Sequence, residues 1–422
     1  MTPRILIRVG AVAALASLFT ACSDGGGPAH LGPPATLTPS STTTINGLAN
    51  TDVTSPITIS VKDAAGHALP NTEVTFAVTA GGGSLTVLKD TTDANGQVPL
   101  PTWRFGKSAE PQVITASAGT GTDAVSVNIQ GTVTTAYKIE VRFFGTPMTA
   151  DQQALFTKAA QRIMGIVTGD VIDADATGQN FDLATACNVS GQPPFNELVD
   201  DIIIYASIRD IDGPGKILAQ AGPCLTRDAG TPQNPMPMPA VGDMSFDAAD
   251  IAAVTGAGSL QEVITHEMMH VLGFGVFWDD RGDLQGAGTA DPRFTGPAAV
   301  QACKDVGGTI NCAVSVPVEN TGGSGTADSH WRESVFGNEL MTGFIDHSPN
   351  PLSKVTVGSL ADLGYVVNNA DFDTFQLPLG SLRAAGSTSM IPSMAMHQQW
   401  EQLPRTTVYQ LTNGRIVARR IR

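Results

Sequence analysis

The sequence predicts a chain of two folded parts, an all-β sandwich followed by a larger α+β domain. Three observations support this prediction. The chain has 422 residues, which is enough for two or three domains. Short alternating apolar runs between Gly, Asn and Asp turns fill residues 37–133, whereas residues 136–372 mix strand and helix periodicities. We therefore expect a multidomain protein.

The composition indicates an exported protein that does not bind nucleic acid. The 39 acidic residues outnumber the 24 basic ones, which gives a formal charge of -15. The dense basic cluster lies at the C-terminus, from Arg415 to Arg422. A chain this acidic is repelled by phosphate backbones, so a nucleic-acid partner is not expected. Only 15% of residues are charged and Gly (45) and Pro (27) are abundant, which is typical of secreted β-rich chains.

Residues 1–21 predict a lipoprotein-type signal peptide. Two arginines precede an apolar run that ends at Phe19 and is too short to span a bilayer comfortably. The sequence Phe-Thr-Ala-Cys22 resembles the bacterial lipoprotein cleavage box, with Phe where Leu is usual. We expect a lipid on Cys22, a flexible tether over residues 22–36 and a position on the membrane or cell surface, in the outer membrane if the host has one. Ordinary signal-peptide cleavage is the alternative.

Four further cysteines predict disulfide bonds. Cys187, Cys224, Cys303 and Cys312 form an even set in an exported chain, which favours oxidation. Three pairings are possible, and the sequence-local one joins 187 to 224 and 303 to 312. No two of these cysteines form a C-x-x-C pair, so a thiolate zinc site has little support.

The first folded part, residues 37–133, contains strand-like runs at 57–61, 73–78, 113–116 and 124–129. Turn sequences such as 63–66 and 93–96 separate them, as in a β-sandwich. The pieces at 61–66, 74–78, 81–85, 92–96 and 103–106 resemble the bacterial immunoglobulin-like domains of invasin-type surface proteins. No catalytic group of residues occurs here. We expect a spacer, with adhesion as the alternative.

The second part, residues 136–372, begins with an alternating strand at 139–143. Thr149 and Gln152 form a capping box ahead of a helix that continues to Val167. Residues 202–208 have the β-branched content of a buried strand. The Gly/Pro-rich stretches at 210–240 and 279–325 are predicted to be loops. Residues 373–422 form a tail without an assigned structure.

One motif indicates metal chemistry. Ser259 and Glu262 suggest a capping box, so a helix is expected from Leu260 until Gly273 ends it. This helix contains His266-Glu267-Met-Met-His270. Residues four apart share a helix face, so both imidazoles can bind one metal ion, while Glu267 can deprotonate a bound water.

A catalytic zinc site commonly needs a third protein ligand. The short metzincin pattern would place a histidine at 276, where the chain has Val276, and no Glu occurs between 271 and 318. The remaining downstream histidines are His330, His347 and His397. His347 lies in a proline-rich stretch and is predicted to be a surface residue. His397 is predicted to be a solvated side chain.

The segment His330-Trp-Arg-Glu-Ser-Val-Phe-Gly-Asn-Glu-Leu-Met341-Thr-Gly narrows this choice. It resembles the corresponding segment of the leishmanolysin family, peptidase family M8, whose metzincins carry a long insertion after the glycine of the zinc motif. The resemblance extends to Gly273-Phe274, 294–296 and 359–365, and covers roughly residues 136–370. It implies that His330 is the third zinc ligand and that Met341 is the methionine of the turn below the metal.

The resemblance also implies a metzincin-type α+β fold and a function. We expect a zinc metalloendopeptidase that acts on extracellular proteins or peptides, with Glu267 as the general base. The alternative is a surface adhesin or binding protein whose zinc domain is inactive. Retention of Glu267 disfavours it, because a structural zinc site does not need a base.

Overall fold

The computed structural model describes residues 31–41, 44–229, 237–323, 325–344, 348–378, 407–412 and 415–420. Within these residues, no helix combines the length and apolar character needed to cross a bilayer. Buried apolar side chains form one cluster in the N-terminal part and two in the remainder. The predicted signal peptide, Cys22, His347 and His397 lie outside the described residues.

The N-terminal domain is built from strands in two main sheets and one small sheet. The sheet orders are β1-β4-β8, β2-β11-β10-β5-β7 and β3-β9-β6. Ile59 from the first sheet and Phe76 and Ile114 from the second share one core, which agrees with the predicted sandwich. The strands are β1 (Thr36–Pro39), β2 (Ile45–Gly47), β3 (Asp52–Val53), β4 (Thr58–Lys62), β5 (Glu73–Ala80), β6 (Ser84–Leu85), β7 (Lys89–Thr91), β8 (Gln97–Pro99), β9 (Trp103–Arg104), β10 (Gln112–Ala118) and β11 (Val125–Val133).

The second domain combines helices with one large sheet and two small ones. Its helices are α1 (Ala150–Ile166), α2 (Leu183–Cys187), α3 (Ile251–Gly256), α4 (Leu260–Val271), α5 (Trp278–Arg281), α6 (Pro297–Asp305), α7 (Glu333–Phe336) and α8 (Lys354–Asp362). Its strands are β12 (Ile139–Phe143), β13 (Ala174–Asp175), β14 (Leu198–Val199), β15 (Ile202–Arg209), β16 (Ala219–Ala229), β17 (Pro237–Asp247), β18 (Leu284–Gln285), β19 (Arg293–Phe294), β20 (Val316–Pro317), β21 (Thr407–Thr412) and β22 (Arg415–Arg420).

The large sheet has the order β12-β15-β17-β16-β21-β22. β12, β15 and β17 are parallel, and β16 runs antiparallel to β17. Helices α1 and α4 pack against each other, α1 against β12 and α4 against β16 and β17. The predicted capping box of α1 is confirmed, because Gln152 N donates to Thr149 Oγ1 while Thr149 N donates to Gln152 Oε1.

The prediction of a loop over residues 210–240 was wrong, because this stretch contains β16 and the start of β17. Proline is tolerated there since Pro223 lies beside a β-bulge and Pro237 begins a strand. Glycine has a packing role: a side chain at Gly242 would collide with Val271, one residue after His270. Gly242 therefore allows α4 to lie close to the sheet.

The structure also corrects the prediction for one other stretch and shows strands in the tail, for which none was made. Residues 279–325, predicted to be a loop, contain α6 and several short elements. In the unassigned tail, β21 and β22 form a hairpin whose first strand pairs in parallel with β16. Both additions are short pieces that gain stability from tertiary pairing, which local sequence patterns do not reveal.

The two domains contact each other through a polar interface. Lys107 Nζ lies 2.6 Å from Asp373, and Arg162 Nη1 donates to the carbonyl of Lys107 at 3.0 Å. Arg162 also lies 2.9 Å from Asp371, and Asn368 donates to the carbonyl of Ala49 at 2.6 Å. Helix α1 and the segment after α8 therefore hold the N-terminal domain directly.

Candidate metal centre

Helix α4 carries the first two predicted ligands and the predicted base. It spans Leu260–Val271, and Gly273 follows with a φ of 102°, so both ends agree with the sequence prediction. His270 is fully buried, and His266 and Glu267 are 9% and 2% exposed. The helix packs its apolar residues against the sheet, and this packing fixes the histidine pair inside the domain.

The predicted capping box at Ser259 is wrong. The Ser259 side chain makes no capping hydrogen bond. The Glu262 carboxylate instead accepts hydrogen bonds from Ser348 Oγ and Asn350 Nδ2, both at 2.6 Å. A tertiary contact with the segment after the methionine turn has therefore replaced the local cap.

The structure brings His330 to the pair on α4, although it lies 60 residues after His270 in sequence. The Nε2 atoms of the three rings are 3.1 to 3.2 Å apart. Four-coordinate zinc with Zn–N bonds of about 2.0–2.1 Å separates its nitrogen ligands by about 3.3 Å. The predicted trio thus has the spacing that zinc requires.

Hydrogen bonds at the other ring nitrogens fix the tautomers. His266 Nδ1 lies 2.7 Å from Leu340 O, His270 Nδ1 2.9 Å from Phe274 O, and His330 Nδ1 2.9 Å from the carbonyl of Thr326. A carbonyl oxygen only accepts, so each Nδ1 carries a hydrogen and each neutral ring presents an Nε2 lone pair to the same point. Three lone pairs this close repel one another, and a cation between them removes the repulsion. The residues present therefore fit zinc.

Met341 lies in a buried turn that adjoins His330, the predicted third ligand. Its side chain is fully buried, and its carbonyl accepts from the backbone N–H of Trp331 at 2.9 Å. Its own N–H donates to Glu339 Oε2 at 2.6 Å. The turn thus contacts the segment of His330 on one side, while its Leu340 carbonyl holds His266 on the other.

Aromatic side chains fill the space behind the centre. Trp331 stacks on Trp278 with ring centroids 4.9 Å apart, and Phe274 meets both rings edge-on. Phe294 and Phe336 extend this cluster. The cluster packs the residue after His330 against the chain that follows His270, which fixes these two predicted ligands relative to each other.

The predicted disulfides are present. Cys187 joins Cys224, linking α2 to β16, and Cys303 joins Cys312 after α6. Of the other predicted site residues, Cys22 and the rival ligand His347 lie outside the described residues.

A cavity of about 670 Å³ lies between the two domains. Thr265 and Leu340, which neighbour His266 and Met341 in sequence, line one side. Lys107 and Glu110 of the N-terminal domain line another side. The N-terminal domain therefore forms part of the wall of this cavity.

Sequence reasoning missed two kinds of group that build this site. The carbonyls of Leu340, Phe274 and Thr326 are backbone atoms and leave no trace in the sequence. Glu339 was given no role from the sequence, and the structure buries it completely. One feature of the sequence could have indicated the role of Glu339: an acidic residue directly precedes the apolar pair Leu340-Met341.

Comparison with known proteins identifies the family. The D00-D0 domain of Intimin is 19% identical with a TM-score of 0.19, over 26% of this chain and 50% of that one. Leishmanolysin from Leishmania major is 29% identical over 213 residues, which are 48% of this chain and 32% of the relative, so this chain spans about a third of that relative's length. The family model described as leishmanolysin, Peptidase M8, matches residues 185–396, half of the chain. The chain therefore belongs to the leishmanolysin family of metallopeptidases, whose members are zinc-dependent.

Proposed function

We propose that this protein is a zinc metalloendopeptidase that hydrolyses peptide bonds of extracellular proteins. The observation that carries the proposal is the convergence of His266, His270 and His330 with their Nε2 atoms 3.1 to 3.2 Å apart. Three protein nitrogens are the ligand number of a catalytic zinc site, in which the fourth position is open to water. Glu267 follows the first ligand directly, on the same buried helix.

The protein groups have distinct tasks in this reaction. When bound, zinc supplies Lewis acidity toward a water molecule and toward the peptide carbonyl. The Glu267 carboxylate accepts the proton of the attacking water and delivers it to the departing amine. The carbonyls of Leu340, Phe274 and Thr326 keep the imidazoles in one tautomer and orientation throughout.

The N-terminal domain and the membrane anchor complete the proposal. We infer that the N-terminal sandwich is immunoglobulin-like, and that it presents the peptidase away from a membrane to which Cys22 attaches it through lipid. The charged start, the short apolar run and the cysteine support the anchor. The two-sheet core supports the sandwich.

Hydrolysis of casein by the purified, zinc-loaded protein tests the proposed activity. Replacing the base, Glu267→Ala, should lower the rate at least about a hundredfold, because general-base catalysis contributes that much or more. The variant should retain its zinc and its fold, since the three histidines are untouched. Glu73→Ala, an exposed carboxylate on the N-terminal domain, is the matched control and should cleave normally.

Two outcomes would contradict this proposal. One is equal cleavage by the wild type and Glu267→Ala, which would point to a contaminating protease. The other is full zinc loading without cleavage of any protein substrate, which would favour the alternative of a surface binding protein.

A further inference from the structure

Glu339 is a buried carboxylate that four donors surround. Its Oε2 accepts from Met341 N at 2.6 Å. Its Oε1 accepts from Ser353 N at 3.0 Å, Ser353 Oγ at 2.7 Å and Thr356 Oγ1 at 2.6 Å. A fully buried acid with this many partners costs free energy to desolvate, so its place in the structure needs an explanation.

We propose that Glu339 is a positioning residue for the metal centre. It clamps the methionine turn onto the start of α8, so that the carbonyl of Leu340 stays on the ring of His266. This role concerns metal binding and does not depend on which bond the enzyme cleaves.

The neighbouring hydrogen bonds fix the direction of every donor. The indole nitrogen of Trp331 only donates, so Thr356 Oγ1 accepts from it at 2.9 Å and turns its own hydrogen toward Glu339. Ser353 Oγ accepts from Val355 N at 3.2 Å, so its hydrogen also faces Glu339. The other two donors are backbone N–H groups. Because all four hydrogens point at the carboxyl group, it serves as an acceptor only.

Burial raises the pKa of Glu339, and the hydrogen bonds from Thr356, Ser353 and Met341 oppose that rise. A protonated Glu339 would place its own hydrogen among four others. The ionised form therefore matches the geometry.

The clamp reaches two of the three proposed ligands. Leu340 O lies 2.7 Å from His266 Nδ1. Met341 O accepts from the N–H of Trp331, the residue after His330. A shift of the turn would therefore move His266 and the His330 segment together.

The other end of the clamp is rigid. Ser353 caps α8, and this helix packs closely against α6, where a side chain at Gly358 would meet the backbone of Ala298 at 2.9 Å. Glu339 thus connects a turn, which has few internal bonds, to a packed helix pair.

The substitution Glu339→Gln isolates the contact with the turn. The amide keeps three of the four bonds if its oxygen takes the Oε1 position and faces Ser353 and Thr356. Its NH₂ group then faces the N–H of Met341. Two donors would therefore meet where a donor and an acceptor now lie 2.6 Å apart. The turn must move, and the Leu340 carbonyl moves with it.

We expect Glu339→Gln to bind zinc about tenfold more weakly, as other outer-sphere substitutions do. Competition of the full-length protein with a chromophoric chelator measures this affinity. The absorption spectrum of the Co²⁺-substituted protein should change as well. Neither readout uses peptide hydrolysis, so failure here is distinguishable from failure of the proposed activity.

Thr149→Ala is the matched control. It removes the capping box of α1 and leaves Glu339 and its four donors intact. It should lower the melting temperature while its zinc affinity stays within twofold of the wild type. If Glu339→Gln does not fold, Glu339→Asp replaces it, because a carboxylate one methylene shorter cannot reach both Met341 and the α8 residues.

Two results would overturn the proposal. The first is wild-type zinc affinity in a folded Glu339→Gln or Glu339→Asp protein. The second is an equal loss of zinc affinity in Glu339→Gln and Thr149→Ala, which would show that affinity follows general stability.

Discussion

At the scale of single residues, backbone carbonyls orient the three imidazole side chains of the proposed metal centre. Leu340, Phe274 and Thr326 each hold one imidazole through a main-chain oxygen. Their side chains can change without loss of that oxygen, whereas a displaced backbone cannot be compensated. The tautomer of each ring is therefore set by the course of the chain.

Replacement of the proposed third ligand, His330→Ala, should remove zinc and activity. Two imidazoles remain, and water fills the lost position, so the metal should dissociate during dialysis. His347→Ala, the rival histidine of the same region, is the control and should keep its metal. Zinc content after dialysis and peptide hydrolysis are measured for both. The reverse result would show that the resemblance assigned the wrong ligand.

Sequence reasoning at this scale depended on spacing. The pair His266 and His270 follows from helical periodicity alone, because the two residues are one turn apart. His330 lies 60 residues after His270, and only a family resemblance selected it among three histidines. The predicted cap at Ser259 was wrong. The Glu262 carboxylate accepts hydrogen bonds from Ser348 and Asn350 instead, and no local sequence pattern could indicate this tertiary contact.

At the scale of elements, strands with alternating or β-branched residues were predictable, and strands rich in proline and glycine were not. β15 was recognised from its composition, whereas β16 and the start of β17 were assigned to a loop. These two strands are stabilised by pairing with each other and by packing against helix α4. The information that specifies them therefore lies outside their own sequence segments. The hairpin of β21 and β22 was not predicted for the same reason.

The two disulfides should contribute unequally to stability. The bond between Cys187 and Cys224 spans 37 residues, and the bond between Cys303 and Cys312 spans 9. Loop-closure entropy gives about 4 kcal/mol for the longer loop and about 2 to 3 kcal/mol for the shorter one. Double Cys→Ala variants compared by urea unfolding should therefore differ by about 1 kcal/mol. A larger loss for the shorter loop would contradict this account, and peptide mapping without reduction checks the pairing itself.

At the scale of the whole molecule, the N-terminal domain is docked and not freely suspended. Arg162 bonds to the carbonyl of Lys107 and pairs with Asp371, while Lys107 pairs with Asp373. Sequence reasoning predicted the two domains but treated the first as a spacer. Contacts between segments this far apart in the chain are set by tertiary packing, so a single sequence does not show them.

This interface should make stability depend on pH. Burial raises the pKa of Asp371 from 3.8 to about 6, against the opposing charges of Arg162 and Lys107. Between about pH 4 and 6 the folded state holds a proton that the unfolded state has released. The free energy of unfolding therefore falls as the pH rises through this window, by up to about 3 kcal/mol from this group.

The variant Asp371→Asn removes this titration. The stability advantage of the wild type over the variant should shrink between pH 4 and pH 7, as measured by urea unfolding at each pH. Asp373→Asn is the control. The pKa of Asp373 is lowered in the folded state, so its contribution to the free energy of unfolding is lost as the pH falls and not as the pH rises. A wild-type advantage over Asp371→Asn that stays constant with pH would contradict the prediction.

The close approach at Gly165 limits how this protein can be rearranged during evolution. A side chain there would lie 2.5 Å from the Lys107 carbonyl and 2.8 Å from Asp371 Oδ2. Helix α1 of the second domain has therefore been shaped to the surface of one particular N-terminal domain. Exchange for another β-sandwich by recombination would leave Arg162 facing the wrong partner. The two domains are consequently expected to be inherited as a unit, with substitutions on one side of the interface matched by substitutions on the other.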